Sequence, residues 1–161
     1  MKLLKQSIVF FIGCLFFNNL ALAETVNITG TAYGSTISTE ETELSDGNFK
    51  YINLDHSIWV QEGMPEGYPS MASADCRTIG IRSPDYVNLG SSWICTITDI
   101  DGDGFINVGS DVKPDWSGCN YETVAGWGKY AGISQSGSCA FAGNISATDW
   151  MLKWNGEFTT P

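Results

Sequence analysis

The segment Trp150-Met151-Leu152-Lys153-Trp154-Asn155-Gly156-Glu157-Phe158 puts Trp150, Leu152, Trp154 and Phe158 on one side of an extended chain and Lys153, Asn155 and Glu157 on the other. Side chains two apart share a face only in a strand, so this stretch predicts a β-strand with one buried surface. At the opposite end, Val26, Ile28 and Ala32 alternate with Thr25, Asn27, Thr29 and Thr31, which predicts a first strand. Between the two, strands are expected at about 50–60, 71–82, 92–99, 104–109, 119–125 and 137–143, eight in all. Apolar residues nowhere recur at helical spacing for three turns.

Turn-forming residues separate the strands. They include an acidic loop from Thr36 to Asn48, Gly63-Met64-Pro65-Glu66-Gly67-Tyr68-Pro69, Ser83-Pro84-Asp85, Asp101-Gly102-Asp103-Gly104, Lys113-Pro114-Asp115 and the stretch Gly126 to Ser136. Short strands joined by hairpin-length loops predict an all-β, closed, antiparallel up-and-down barrel, an arrangement that leaves no sheet edge exposed. A two-sheet sandwich is the alternative.

The N-terminus has its own logic. Lys2 and Lys5 precede a mostly apolar run from Ile8 to Phe17, and Ala21-Leu22-Ala23 supplies a small-x-small cleavage site. This is the pattern of a secretory signal peptide over 1–23, and the run is too short for the roughly 18 to 20 residues that span a bilayer. The remainder, 24–161, suits one domain. Removing the leader lysines leaves 6 basic against 18 acidic residues, a net charge of −12, which opposes binding to nucleic acid and anionic membranes. A secreted or periplasmic location follows from the leader.

Loss of Cys14 would leave Cys76, Cys95, Cys119 and Cys139, an even number suited to two disulfides in an oxidising compartment. Four cysteines allow three pairings, and spacing does not choose among them. The meander does, because it places Cys76 beside Cys95 and Cys119 beside Cys139 on neighbouring strands. No CxxC spacing supports a metal reading.

Three stretches together resemble a known family: Gly126-Trp127-Gly128-Lys129-Tyr130-Ala131-Gly132-Ile133-Ser134-Gln135-Ser136-Gly137, Cys95-Thr96-Ile97-Thr98-Asp99-Ile100-Asp101-Gly102-Asp103 and Trp154-Asn155-Gly156-Glu157-Phe158. They are similar to exported bacterial proteins of the allene-oxide-cyclase-like, dirigent-like barrel superfamily. In that family a Gly-Thr-Gly-Lys-Tyr-x-Gly hairpin and a Trp-x-Gly last strand recur. Trp127 stands where Thr is usual, and Gln135 lies near a usual Gly. The resemblance spans about the C-terminal half and implies an eight-stranded barrel. The superfamily holds cyclases and dirigent-like proteins, whose catalytic residues fall outside the matching motifs.

Few motifs carry chemistry. Asp99-Ile100-Asp101-Gly102-Asp103-Gly104-Phe105-Ile106-Asn107 fits the first nine positions of a calcium loop, with Asp99, Asp101 and Asp103 as carboxylate ligands and the Phe105 carbonyl as a fourth. Position twelve is Ser110 rather than a bidentate Glu, so the competing reading is an Asp-Gly hairpin turn. Ca²⁺ is the one cofactor the sequence suggests; no motif requires another.

His56, the single histidine, is in phase with Ile52, Leu54, Ile58 and Val60. If that apolar face lines the lumen, His56 is the natural catalytic acid or base. Otherwise it is a partly buried histidine with no role in chemistry. Trp59, Tyr68, Trp116 and Trp127 fall in expected loops or on polar faces, where they can stack on a ligand or sugar ring. No G-x-S-x-G, P-loop or H-E-x-x-H is present, and Gly126, Gly128 and Gly132 read as turn glycines.

The functional expectation is a barrel whose lumen or mouth binds a small apolar or aromatic molecule, with isomerase or cyclase chemistry by conformational templating as its catalytic form. The alternative is a non-enzymatic glycan- or protein-binding module with a calcium-ordered loop.

Overall fold

The computed structural model describes residues 23–110, 112–113 and 116–161, and the expected leader lies outside them except for Ala23. Eight strands follow in order: β1 (Thr25–Glu43), β2 (Phe49–Glu62), β3 (Met71–Arg82), β4 (Asn88–Thr98), β5 (Gly104–Ser110), β6 (Cys119–Trp127), β7 (Ser134–Asn144) and β8 (Asp149–Thr159). Each pairs antiparallel with the next, and β8 returns to β1, closing the barrel. That last ladder runs from Thr25 opposite Thr159 to Ser35 opposite Asp149, which excludes the sandwich. Among the described residues, no helix is long and apolar enough to cross a membrane.

Two expected loops are largely strand. The acidic stretch 36–48 continues β1 as far as Glu43 after a bulge between Thr36 and Ser38, leaving a turn at Leu44–Asn48. Thr favours extended backbone, and side chains of this stretch find partners: Thr39 donates to Asn53 across the β1–β2 ladder at 2.9 Å, and Glu41 pairs with Arg82 of β3. The stretch 126–136 shrinks likewise. β6 runs to Trp127, a single 3-10 turn covers Gly128–Tyr130, and β7 begins at Ser134.

The two ends of the barrel differ. At one end Ile28, Ile97, Phe105, Tyr130 and Phe158 are at most 1% exposed. Tyr68 meets Tyr130 and Phe158 edge-on at 5.3 and 4.9 Å, and Phe105 lies 5.0 Å from Tyr130. Burial of each such side chain contributes about 1.5–3 kcal/mol, so this plug is the main apolar core. It also fixes the role of Tyr68, which caps the core instead of standing free for a ligand.

Both disulfides join residues directly opposite each other, Cys76 to Cys95 across β3 and β4 and Cys119 to Cys139 across β6 and β7. The second sits on the shortest ladder of the barrel, which extends only from Cys119 opposite Cys139 to Glu122 opposite Ser136.

Candidate functional site

Strand alternation decides what the barrel encloses. On β2 the inward side chains are Tyr51, Asn53, Asp55, Ser57, Trp59 and Gln61, while Leu54, His56 and Ile58 are exposed on the outer wall. The apolar face of β2 is therefore the outside of the barrel. Ile79, Ile81 and Ile94 extend this outer apolar surface over β3 and β4. His56 lies on it, with Nδ1 2.8 Å from the Asp75 carboxylate, and it does not line the lumen.

Above the aromatic plug, a cavity of about 520 Å³ occupies the half of the barrel whose end carries Tyr86, Trp116 and Asn144. This volume suits a small organic ligand. Five of the six tryptophans line it: Trp59, Trp93, Trp116, Trp150 and Trp154. Tyr51, Tyr121, Phe141, Leu152 and the cystine sulfur-bearing residues Cys76, Cys95 and Cys139 complete the apolar wall. Trp59 and Trp154 lie with ring centres 5.8 Å apart, and Tyr121 meets Trp154 edge-on at 6.0 Å.

The wall is built from aromatic residues laid across glycines on the neighbouring strand. Trp154 is opposite Gly30, Trp150 opposite Gly34, Trp93 opposite Gly109 and Tyr51 opposite Gly80. A Cβ at any of these glycines would collide with the facing ring. The missing side chain is what lets each ring lie flat against the sheet and leave the centre of the barrel open.

Polar groups are few and placed. Asp55, 7% exposed, lies midway along the lumen and accepts a 2.7 Å hydrogen bond from the Thr36 hydroxyl. Burial raises its pKa above the usual carboxyl value, and hydrogen bonds from Thr36 and the Trp150 side chain only partly oppose this. Tyr51 donates to Asn88 at 3.3 Å, and its hydroxyl is pushed up by burial. Burial pushes Tyr121 up to about 12.

At the rim Arg82 pairs with Glu41, and the Tyr86 ring covers the guanidinium at 4.1 Å. Tyr86 (φ 63°) and Trp116 (φ 58°) are the two non-glycine residues with positive φ among the described residues, and both line the cavity. Bulky side chains adopt this backbone rarely and at a cost, so both mouth loops hold an aromatic residue in a conformation set by the surrounding structure.

The other expected site residues divide. Trp59 and Trp116 line the lumen. Trp127 does not: its indole donates to the Gly102 carbonyl at 2.9 Å and its ring covers Gly104, pinning the β4–β5 turn. In that turn Asp99 accepts from the backbone N–H of Asp101 (2.8 Å) and Asp103 (3.2 Å). Lys129 Nζ lies 3.0 Å from Asp99 and 2.6 Å from Asp101, and the Lys129 N–H donates to Asp103. Burial would raise Asp99, but the ammonium and the backbone donors outweigh it and hold the carboxyl below its usual range. The Phe105 side chain points into the plug. Among the described residues, no group of three or more His, Cys, Asp or Glu side chains is placed to hold a metal ion.

Asp55, Trp93, Trp150, Asn53, Thr78 and Tyr86 were not expected at a site, yet they form much of the lumen. With this geometry in hand, comparison with known proteins finds no matching family model, curated protein or solved structure.

Proposed function

We propose that this chain is an exported binding barrel that takes a small apolar or aromatic molecule into its lumen. The observation that carries the reading is the cavity of about 520 Å³ walled by five tryptophans. A lumen meant only for stability would be filled with interdigitating side chains, as the other end of this barrel is. Here cross-strand glycines hold the rings back against the wall. Two disulfides and the leader-like N-terminus fit a secreted or periplasmic setting.

A second reading rests on Asp55. A buried carboxyl with a raised pKa on an otherwise apolar wall is the group an isomerase or cyclase would use for proton transfer while the walls hold the reactive conformer. Binding is common to both readings and is tested first.

The test is titration of the full chain with N-phenyl-1-naphthylamine, an uncharged fluorophore, followed by tryptophan quenching and probe emission. Saturable one-to-one binding is expected, and Thr78→Trp or Asn53→Trp, which fill the lumen, should abolish it while circular dichroism stays unchanged. Absence of saturable binding, or binding indifferent to both folded variants, overturns the proposal.

A further inference from the structure

The charges that face the cavity do not balance. Among the described residues, Glu41 from β1, Asp55 from β2 and Arg82 from β3 are the charged side chains that line it, and no lysine or histidine does. Tyr51, Tyr86 and Tyr121 are its other titratable groups. Arg82 is committed to Glu41 and covered by Tyr86, so this pair adds no net charge at the rim. Asp55 is left as the unmatched charge. Its partners are the Thr36 hydroxyl and the Trp150 side chain, and no basic group is among the influences acting on it.

Isolated buried carboxylates are costly, and a protein with 18 acidic and 8 basic residues had basic side chains to spend elsewhere rather than here. The surroundings of Asp55 suit a cation. Indole faces attract ammonium groups through their quadrupole, most strongly when both are withdrawn from water. The overall negative field of the chain draws small cations toward the mouth.

Building on the lumen reading above, we infer that the ligand is a small hydrophobic amine, bound as its ammonium ion. The charged nitrogen pairs with the Asp55 carboxylate, and the apolar body lies among Trp59, Trp93, Trp150 and Trp154. Thr36 donates to one carboxylate oxygen, and with the Trp150 side chain it fixes the carboxylate where an ammonium entering from the lumen can pair with it.

Three probes of one shape test this by calorimetry on the full chain: 1-naphthylmethylamine, 1-naphthalenemethanol and 1-naphthoate, at pH 7.5. The expected order is ammonium, then alcohol, then carboxylate, with the ammonium at least about tenfold tighter than the alcohol, as one charge-assisted hydrogen bond predicts. In Asp55→Asn the alcohol should bind as before and the amine should fall to within about twofold of it. An alcohol that matches the amine in the unaltered chain, or an amine preference that survives Asp55→Asn, overturns the amine assignment and leaves the lumen reading standing. If none of the three binds, both fall. The ranking in the unaltered chain decides the matter even if Asp55→Asn does not fold.

Discussion

Asp55 and His56 are neighbours in the chain and lie on opposite sides of the barrel wall. The carboxylate hangs in the lumen beside Thr36, and the imidazole sits outside against Asp75. These two adjacent titratable residues of β2 therefore differ completely in access to the lumen. His56→Ala should leave the affinity for a naphthyl probe within about twofold, whereas substitution of Asp55 changes which probe is preferred. Calorimetric titration of the two variants side by side checks this.

Because burial raises the Asp55 pKa, the folded chain takes up a proton there more readily than the unfolded chain. Its contribution to stability is greatest at low pH and is lost as pH rises through the raised value. The difference in urea midpoint between Asp55→Asn and the unaltered chain should therefore grow in favour of the variant from pH 4 upward. Thr36→Val removes a hydrogen bond to the charged form, worth about 1.5–3 kcal/mol, and should shift the same transition to higher pH. A flat difference across that range would contradict the assignment. Ammonium binding carries the opposite sign, since only the ionised carboxylate pairs with it, so amine affinity should rise over the same interval.

Gly109 lies directly across from Trp93, and Gly34 across from Trp150. A methyl group at either position has no room unless the indole moves into the lumen. Gly109→Ala and Gly34→Ala should each lower stability by about 1–3 kcal/mol and weaken probe binding at least severalfold. Unchanged stability and affinity would mean that the rings do not need the space.

Each disulfide closes a short span, with separations of 19 and 20 residues. The chain-entropy treatment gives about 3 kcal/mol for each. Replacing Cys119 and Cys139 together by alanine should lower the unfolding free energy by that amount. It should also speed amide exchange in β6 and β7 more than elsewhere, because the flanking ladder is so short. Hydrogen exchange read by mass spectrometry resolves the two strands.

Lys129 bridges the Asp99 and Asp101 carboxylates. The pKa of Asp99 is depressed, so its stabilising contribution is present above the ordinary carboxyl range and lost as pH falls through the depressed value. Lys129→Met should lower the melting temperature at neutral pH and make little difference in acid. With the ammonium in place, added Ca²⁺ should leave the melting temperature of the unaltered chain unchanged. A rise that disappears on Asp101→Ala and Asp103→Ala would assign the ion to this turn.

Period-two alternation was enough to read eight strands, their order and both disulfides, because a barrel wall repeats one simple rule along its length. Phase was legible on β8, where Trp150, Leu152 and Trp154 face the chamber and Phe158 enters the plug, all inward as the alternation suggests. On β2 the rule inverts, since Asp55 and Ser57 face inward and the outer wall keeps Leu54 and Ile58. Apolar residues consequently pointed to the wrong face, and with His56 in phase with them, Asp55 on the opposite face was passed over. The sequence does hold a corrective. Cys76 and Cys95 are buried, so the β3 residues in phase with Cys76 face inward, and Asp55 is the β2 partner of Cys76. The pairing of tryptophans with glycines was invisible for another reason: it joins residues as far apart as Gly30 and Trp154, and only the register brings them together.

A closed cylinder cannot fray from an edge, so any breach has to start at its weakest junction, and here that junction is held by sulfur. Cys139 also borders the ligand chamber. The bond that reinforces the β6–β7 junction is thus part of the chamber wall, and a reducing milieu would loosen that flank before it disturbed the mouth. The shape of the chamber is in this way tied to the oxidation state of the surroundings.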